Sequence, residues 1–143
     1  MKRISVSRLD KYEKEKILNY FKNKKGIIAI YLFGSYAEGK KIHSNDIDIG
    51  ILLDKTNQGI INERRKDCFV QLGRVLRKDI HPVILNLASE ELMRQIFLKG
   101  KCLLVNDSMK LARFKMFMFS KIAEFGDYRN QMQSGFIRKV MED

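Results

Sequence analysis

Two short clusters in the first third of the sequence combine residue types that can handle phosphate. The first is Gly34-Ser35, directly after the apolar run Ile27-Ile28-Ala29-Ile30-Tyr31-Leu32-Phe33. The second, about ten residues later, is Asp46-Ile47-Asp48, which opens another apolar run, Ile49 to Leu53. Side chains alternate faces along an extended strand, so Asp46 and Asp48 project from the same side. Two carboxylates that close repel, and their pKa values rise unless a cation sits between them. A glycine lets the backbone turn and come close to a phosphate. Paired carboxylates near such a turn are what a Mg²⁺-dependent phosphoryl or nucleotidyl transferase needs. Gly-Ser alone marks an ordinary turn, and Asp-X-Asp alone an ordinary solvated strand end. Their spacing and the flanking apolar runs carry the inference.

Strands must hold these clusters in place. Residues near 27–33 and 46–53 read as strands, being β-branched and bounded by Gly or Asn. Ser7-Arg8-Leu9-Asp10 has the pattern of a helix start. That helix is expected to run to about Lys24, with Ile17, Tyr20 and Phe21 on one face and Gly26 as the stop. From about Gln58 to Arg77, Ile61, Cys68, Leu72, Val75 and Leu76 recur at helical spacing. A third strand, near 79–87, begins with Asp79 and contains the only proline, Pro82. Proline cannot donate a ladder hydrogen bond, so this strand belongs at an edge or starts pairing after it. Ser89-Glu90-Glu91 caps a further helix, which Gly100 ends. Lys101 to Val105 suits a short strand, and Asn106-Asp107-Ser108 opens a final helical region. Alternating helices and strands support an α/β class, with a mixed sheet allowed.

The Gly-Ser turn, the interval and the Asp-X-Asp triplet resemble the signature of the DNA polymerase beta-like nucleotidyltransferase superfamily. The stretch Val83-Ile84-Leu85-Asn86-Leu87-Ala88-Ser89, the amphipathic segment after it and Gly100 resemble its smallest branch, the minimal nucleotidyltransferases. Many of these are encoded beside a HEPN-domain ribonuclease toxin and act as its antitoxin, transferring AMP onto a toxin tyrosine. The resemblance implies the polymerase beta-like fold, a small mixed β-sheet packed with helices. It also implies one nucleotidyltransferase domain over residues 1–143, with a C-terminal helical region from about 107. Carried over residue by residue, it has Gly34 and Ser35 holding the β/γ-phosphates of ATP, and Asp46 and Asp48 ligating Mg²⁺. The target hydroxyl attacks the α-phosphate and pyrophosphate leaves.

Two departures from the family's pattern stand out. Glu38 occupies a position that is usually basic, though Lys40 and Lys41 follow. The third carboxylate, which in the family holds a metal or activates the nucleophile, is displaced. In the family's register His81 takes its place, with Asp79 two residues earlier on the same strand face. Either Asp79 completes the catalytic and metal-binding set or His81 substitutes. The preference of Mg²⁺ for oxygen ligands favours Asp79.

Composition narrows the remaining classes. A chain of 143 residues fits one domain with a real core, and 45% apolar residues argue against disorder. No stretch reaches the roughly 18–20 apolar residues of a membrane span. The start Met1-Lys2-Arg3-Ile4 lacks the apolar core of a signal peptide, so a cytoplasmic location and no membrane partner are expected. Cys68 and Cys102 lack metal-ligand spacing and sit in apolar segments, as buried thiols do. The net charge of +11 suits a nucleotide, a nucleic acid or an acidic partner. The excess is spread along the chain without the aromatic motif of an RNA module, so nucleic-acid contact is not expected.

In the last region Leu111, Phe114, Met118, Ile122 and Phe125 form one apolar stripe, with Met116, Phe117 and Phe119 off it. A helix apolar on more than one side is buried all round or contacts another chain, which makes this region the expected oligomer contact. Three functions fit these features. The first is an AMP-transferring antitoxin acting on a HEPN-type toxin. The second is a small-molecule nucleotidyltransferase such as an aminoglycoside-modifying enzyme, which usually needs a further domain for its acceptor. The third is a non-catalytic module that silences a toxin by contact.

Overall fold

The apolar run Ile27–Phe33 forms strand β1, buried from Ile27 to Leu32. Such a continuous apolar strand, without alternation, belongs in the middle of a sheet covered on both faces. The computed structural model describes residues 11–34, 46–123 and 141–142. Among the described residues, α1 (Lys11–Lys22) and β1 precede the sheet's second strand. Then follow β2 (Asp46–Leu53), α2 (Gln58–Asp67), a π-helical turn (Cys68–Leu72), α3 (Gly73–Leu76) and β3 (Asp79–Ile84). A 3₁₀ turn (Leu85–Leu87), α4 (Glu90–Lys99), β4 (Lys101–Val105) and α5 (Ser108–Ala123) come next. The expected helix start at Ser7-Arg8-Leu9-Asp10 lies outside the described residues.

The sheet is mixed, in the order β3-β2-β1-β4. β1 runs antiparallel to both β2 and β4, while β3 runs parallel to β2. The parallel pair is joined by the helical crossover α2 to α3, the connection such a pair requires. Asn57 starts that crossover, its side chain accepting from the Ile60 N–H at 2.9 Å. Cys68, Leu72 and Leu76 face the core, but Val75 is 48% exposed. The sequence placed Val75 on the inner face; the wider π turn re-phases the helix and turns it outward.

β3 lies at the sheet edge, in keeping with Pro82. It is shorter than the expected 79–87, because Asn86 takes over the next pairing with its side chain. The Asn86 amide donates to the Leu53 carbonyl and accepts from the Leu53 N–H, both at 2.9 Å. Ser89 caps α4 by accepting from the Leu92 N–H at 3.1 Å. At the other end, a Cβ on Gly100 would stand 2.5 Å from the Ile96 carbonyl oxygen and 2.9 Å from that of Leu32. Only glycine lets α4 turn into β4 this close to β1. Asn106 then anchors the start of α5, its backbone N–H bonding the Ile28 carbonyl and its side-chain amide that of Ile27.

Each sheet face has its own core. One gathers Ile17 and Phe21 of α1, Ile47, Ile49 and Ile51 of β2, and Cys68 and Leu72 of the crossover. The other packs Tyr31 and Leu52 under Met93 and Phe97 of α4 and Leu111 and Met118 of α5. Tyr31 and Phe97 meet edge to face, ring centroids 5.1 Å apart. Lys78 at the entry to β3 ties back to Glu13 of α1 at 2.7 Å. Strand alternation puts Asp46 and Asp48 on the same face as Leu52, the face roofed by α4 and α5. No helix of the described residues is long and apolar enough to cross a membrane.

Candidate active site

Gly34 is where β1 gives way to the segment leading to the carboxylates. Its φ is +77°, in the left-handed region open to glycine. A Cβ there would lie 2.3 Å from Oδ2 of Asp48. The turn and the carboxylate therefore press directly on one another, and no side chain fits between them. The register explains this, because Phe33, the residue before Gly34, pairs with Asp48 across the hairpin. Ser35, Glu38, Lys40 and Lys41 lie outside the described residues.

Asp46 and Asp48 both stand on β2, with fully buried Ile47 between them facing the opposite core. Both carboxylates are partly open to solvent. In the parallel register Asp46 pairs with Asp79 and Asp48 with His81, so all four side chains share one face. His81 reaches both members of the carboxylate pair. Its Nε2 lies 3.7 Å from Oδ2 of Asp46, and its Nδ1 3.5 Å from Oδ1 of Asp48. These separations are longer than good hydrogen bonds, so the contacts are chiefly electrostatic. Asp79 stands at the strand's first position beside Asp46, with an exposed side chain. Burial pushes the Asp48 carboxyl above the usual carboxylate range; Asp46 adds to the rise and His81 opposes it.

The sequence put Asp46 and Asp48 on one face of their strand and Asp79 and His81 on one face of theirs; the register of β3 against β2 makes these the same face. What the sequence did not show was that His81 touches both central carboxylates at once. That contact depends on the register of β3 against β2, which the crossover sets. Among the described residues, no three His, Cys, Asp or Glu side chains converge as a metal cluster.

A small mixed sheet with an Asp-X-Asp pair at the head of one strand, pressed against a glycine turn from its antiparallel neighbour, defines a nucleotidyltransferase frame. The Polymerase beta, Nucleotidyltransferase family matches residues 15–109, and the chain belongs to it. Its similarity to particular members is more specific. Protein adenylyltransferase MntA of Shewanella oneidensis is 38% identical over 72 residues, which is 50% of this chain and 50% of that protein. The alignment thus spans half the length of this curated relative. Among solved structures, a complex of tri-AMPylated Shewanella oneidensis HEPN toxin with MNT antitoxin matches with a TM-score of 0.62 at 27% identity. That match covers 91% of this chain and 97% of the other. A toxin–antitoxin crystal structure with AMP-PNP matches with a TM-score of 0.62 at 30% identity, over 90% of this chain and 98% of the other.

Proposed function

We propose that this chain is an antitoxin that transfers AMP from ATP to a tyrosine hydroxyl of a HEPN-type toxin. The observation that carries this reading is the contact of the Gly34 turn with Asp48 in the Asp46/Asp48 pair. It brings a phosphate-approaching backbone and two acidic ligands to one point. Relatives described as a protein adenylyltransferase and as the MNT partner of an AMPylated HEPN toxin support the choice of donor and acceptor. Residues 1–143 act in this reading as one nucleotidyltransferase domain.

The residues fit Mg²⁺. Mg²⁺ keeps several waters and binds through one or two carboxylates plus substrate phosphates, so Asp46 and Asp48 suffice without a dedicated cage. When bound, Mg²⁺ would neutralise phosphate charge and polarise the reacting phosphoryl group. Asp46 and Asp48 would hold it, with Asp79, paired with Asp46 across the strands, as the third carboxylate in this reading. Gly34 admits the triphosphate close to the backbone, while the Ser35 hydroxyl and N–H donate to its β/γ-oxygens. The acceptor oxygen then bonds to the α-phosphorus, the bond from that phosphorus to the bridging oxygen breaks, and pyrophosphate leaves. The acceptor hydroxyl gives up its proton, and in this reading Asp79 is the carboxylate that takes it.

Co-expression with a HEPN-type toxin, followed by intact-mass measurement, tests this reading. A gain of one or more AMP units on that protein, absent with Asp46→Asn/Asp48→Asn, is expected. Neutralisation of the toxin without any mass gain would replace it with inhibition by contact.

A further inference from the structure

We propose that the outer face of α5 is the docking surface for the acceptor protein, matching a partner patch that is apolar at its centre and rimmed by carboxylates. This rests on the reading above that the acceptor is a protein. The inner side of α5 is committed, with Leu111 and Met118 buried against the sheet. Met109, Met116 and Phe117 are 65%, 61% and 58% exposed. Spacings of seven and eight residues, two helical turns, line them up on one strip. Methionine adapts its shape to a partner, and an exposed aromatic offers a large apolar anchor.

Charge identifies the occupant. α5 carries Lys110, Arg113, Lys115 and Lys121 and no Asp or Glu along its whole length. Two of these cations are engaged within the fold. Lys115 is buried over the Phe97 ring, and Lys110 pairs with Asp54 at 2.9 Å. Arg113 falls on the exposed strip between Met109 and Met116, and Lys121 lies over the Phe117 ring at 5.4 Å. Among the described residues neither meets a carboxylate. A second copy of the chain would set these cations against their own kind, on two molecules each carrying +11. An acidic rim on a different protein removes that conflict and gives Arg113 and Lys121 partners. Position agrees with this role, since α5 roofs the sheet face from which Asp46 and Asp48 project. A protein seated on α5 therefore stands on the side of the sheet where transfer takes place.

The test uses the full chain with a HEPN-type toxin of the kind bound by its structural relatives. Complex formation is measured by light scattering and binding titration, and transfer by intact mass. Met116→Glu/Phe117→Glu and Arg113→Glu/Lys121→Glu should each weaken the complex about tenfold or more, with unchanged melting temperature and ATP binding. Asp46→Asn/Asp48→Asn should keep the complex and lose the AMP mass gain. Wild-type affinity in both α5 variants overturns the proposal. So does α5-dependent self-association, or α5-dependent binding to phosphatidylglycerol vesicles, if the complex itself is unaffected by the substitutions. If the first variant does not fold, the second decides, because it exchanges one charged side chain for another at exposed positions. A wild-type chain that neither binds nor modifies the protein removes the AMP-transfer reading and this docking surface with it.

Discussion

Asp48 sits where an ionised carboxylate is least comfortable, partly buried and beside Asp46. A residue kept under such conditions serves a purpose other than stability. Asp46→Asn or Asp48→Asn is therefore expected to cut AMP transfer by about two to three orders of magnitude while leaving the melting temperature unchanged or raised. Intact-mass time courses and thermal melts on the same preparations check both halves. Gly34→Ala should fail on both counts. Its Cβ meets Oδ2 of Asp48 at 2.3 Å, and its left-handed φ alone costs about 1–2 kcal/mol. Asp79→Ala is expected to cost more activity than His81→Ala at saturating Mg²⁺, since carboxylate oxygen suits that ion better than imidazole. The opposite ranking in a side-by-side rate measurement would make His81 the third group. The spacing of Gly34 from Asp46 and Asp48, and strand alternation, made the carboxylate pair legible in the sequence. The reach of His81 to both acids was not, because it arises between two strands rather than along one.

At the level of elements, the boundaries were legible wherever one residue has a single physical reason to be there. Ser89 as a cap, Gly100 as a stop and Pro82 as an edge marker are of this kind. Two glycine and serine substitutions separate their roles. Ser89→Ala loses only the hydrogen bond to the Leu92 N–H and should lower stability by about 1 kcal/mol. Gly100→Ala forces a Cβ onto two backbone carbonyls and should cost more, about 1–3 kcal/mol. Urea unfolding of the two variants gives the comparison, and equal midpoints would mean that α4 and β1 separate freely. The π turn at Cys68–Leu72 could not be read in advance, because apolar spacing in threes and fours fits an unbroken α-helix equally well. Its consequence, the outward turn of Val75, is a matter of how the crossover packs on the sheet. Asn86 was legible only as part of a resemblance. Its use as a substitute ladder partner for Leu53 depends on where β3 ends.

Across the whole molecule, a buried thiol and a half-buried phenol with raised pKa couple folding to alkaline pH. Burial raises the Cys68 thiol from its ordinary 9.0 to about 12. Burial also raises Tyr20, with its hydrogen bond to Asp67 adding to the effect. In the unfolded chain Cys68 deprotonates near 9 while the folded chain still holds its proton. Stability is thus fully present below pH 9 and declines between about 9 and 12. Thermal melts between pH 8 and pH 10 are expected to show a steeper loss for the native sequence than for Cys68→Ala, and parallel slopes would remove this coupling. The sheet itself also ends in a telling way. β3 borders solvent and lacks one amide donor at Pro82, so it is a poor seed for another chain's backbone. Strand addition is disfavoured at this edge of the sheet. Asp79 and His81 on this edge strand keep exposed side chains, so a protein arriving there is met by side chains rather than recruited as a fifth strand.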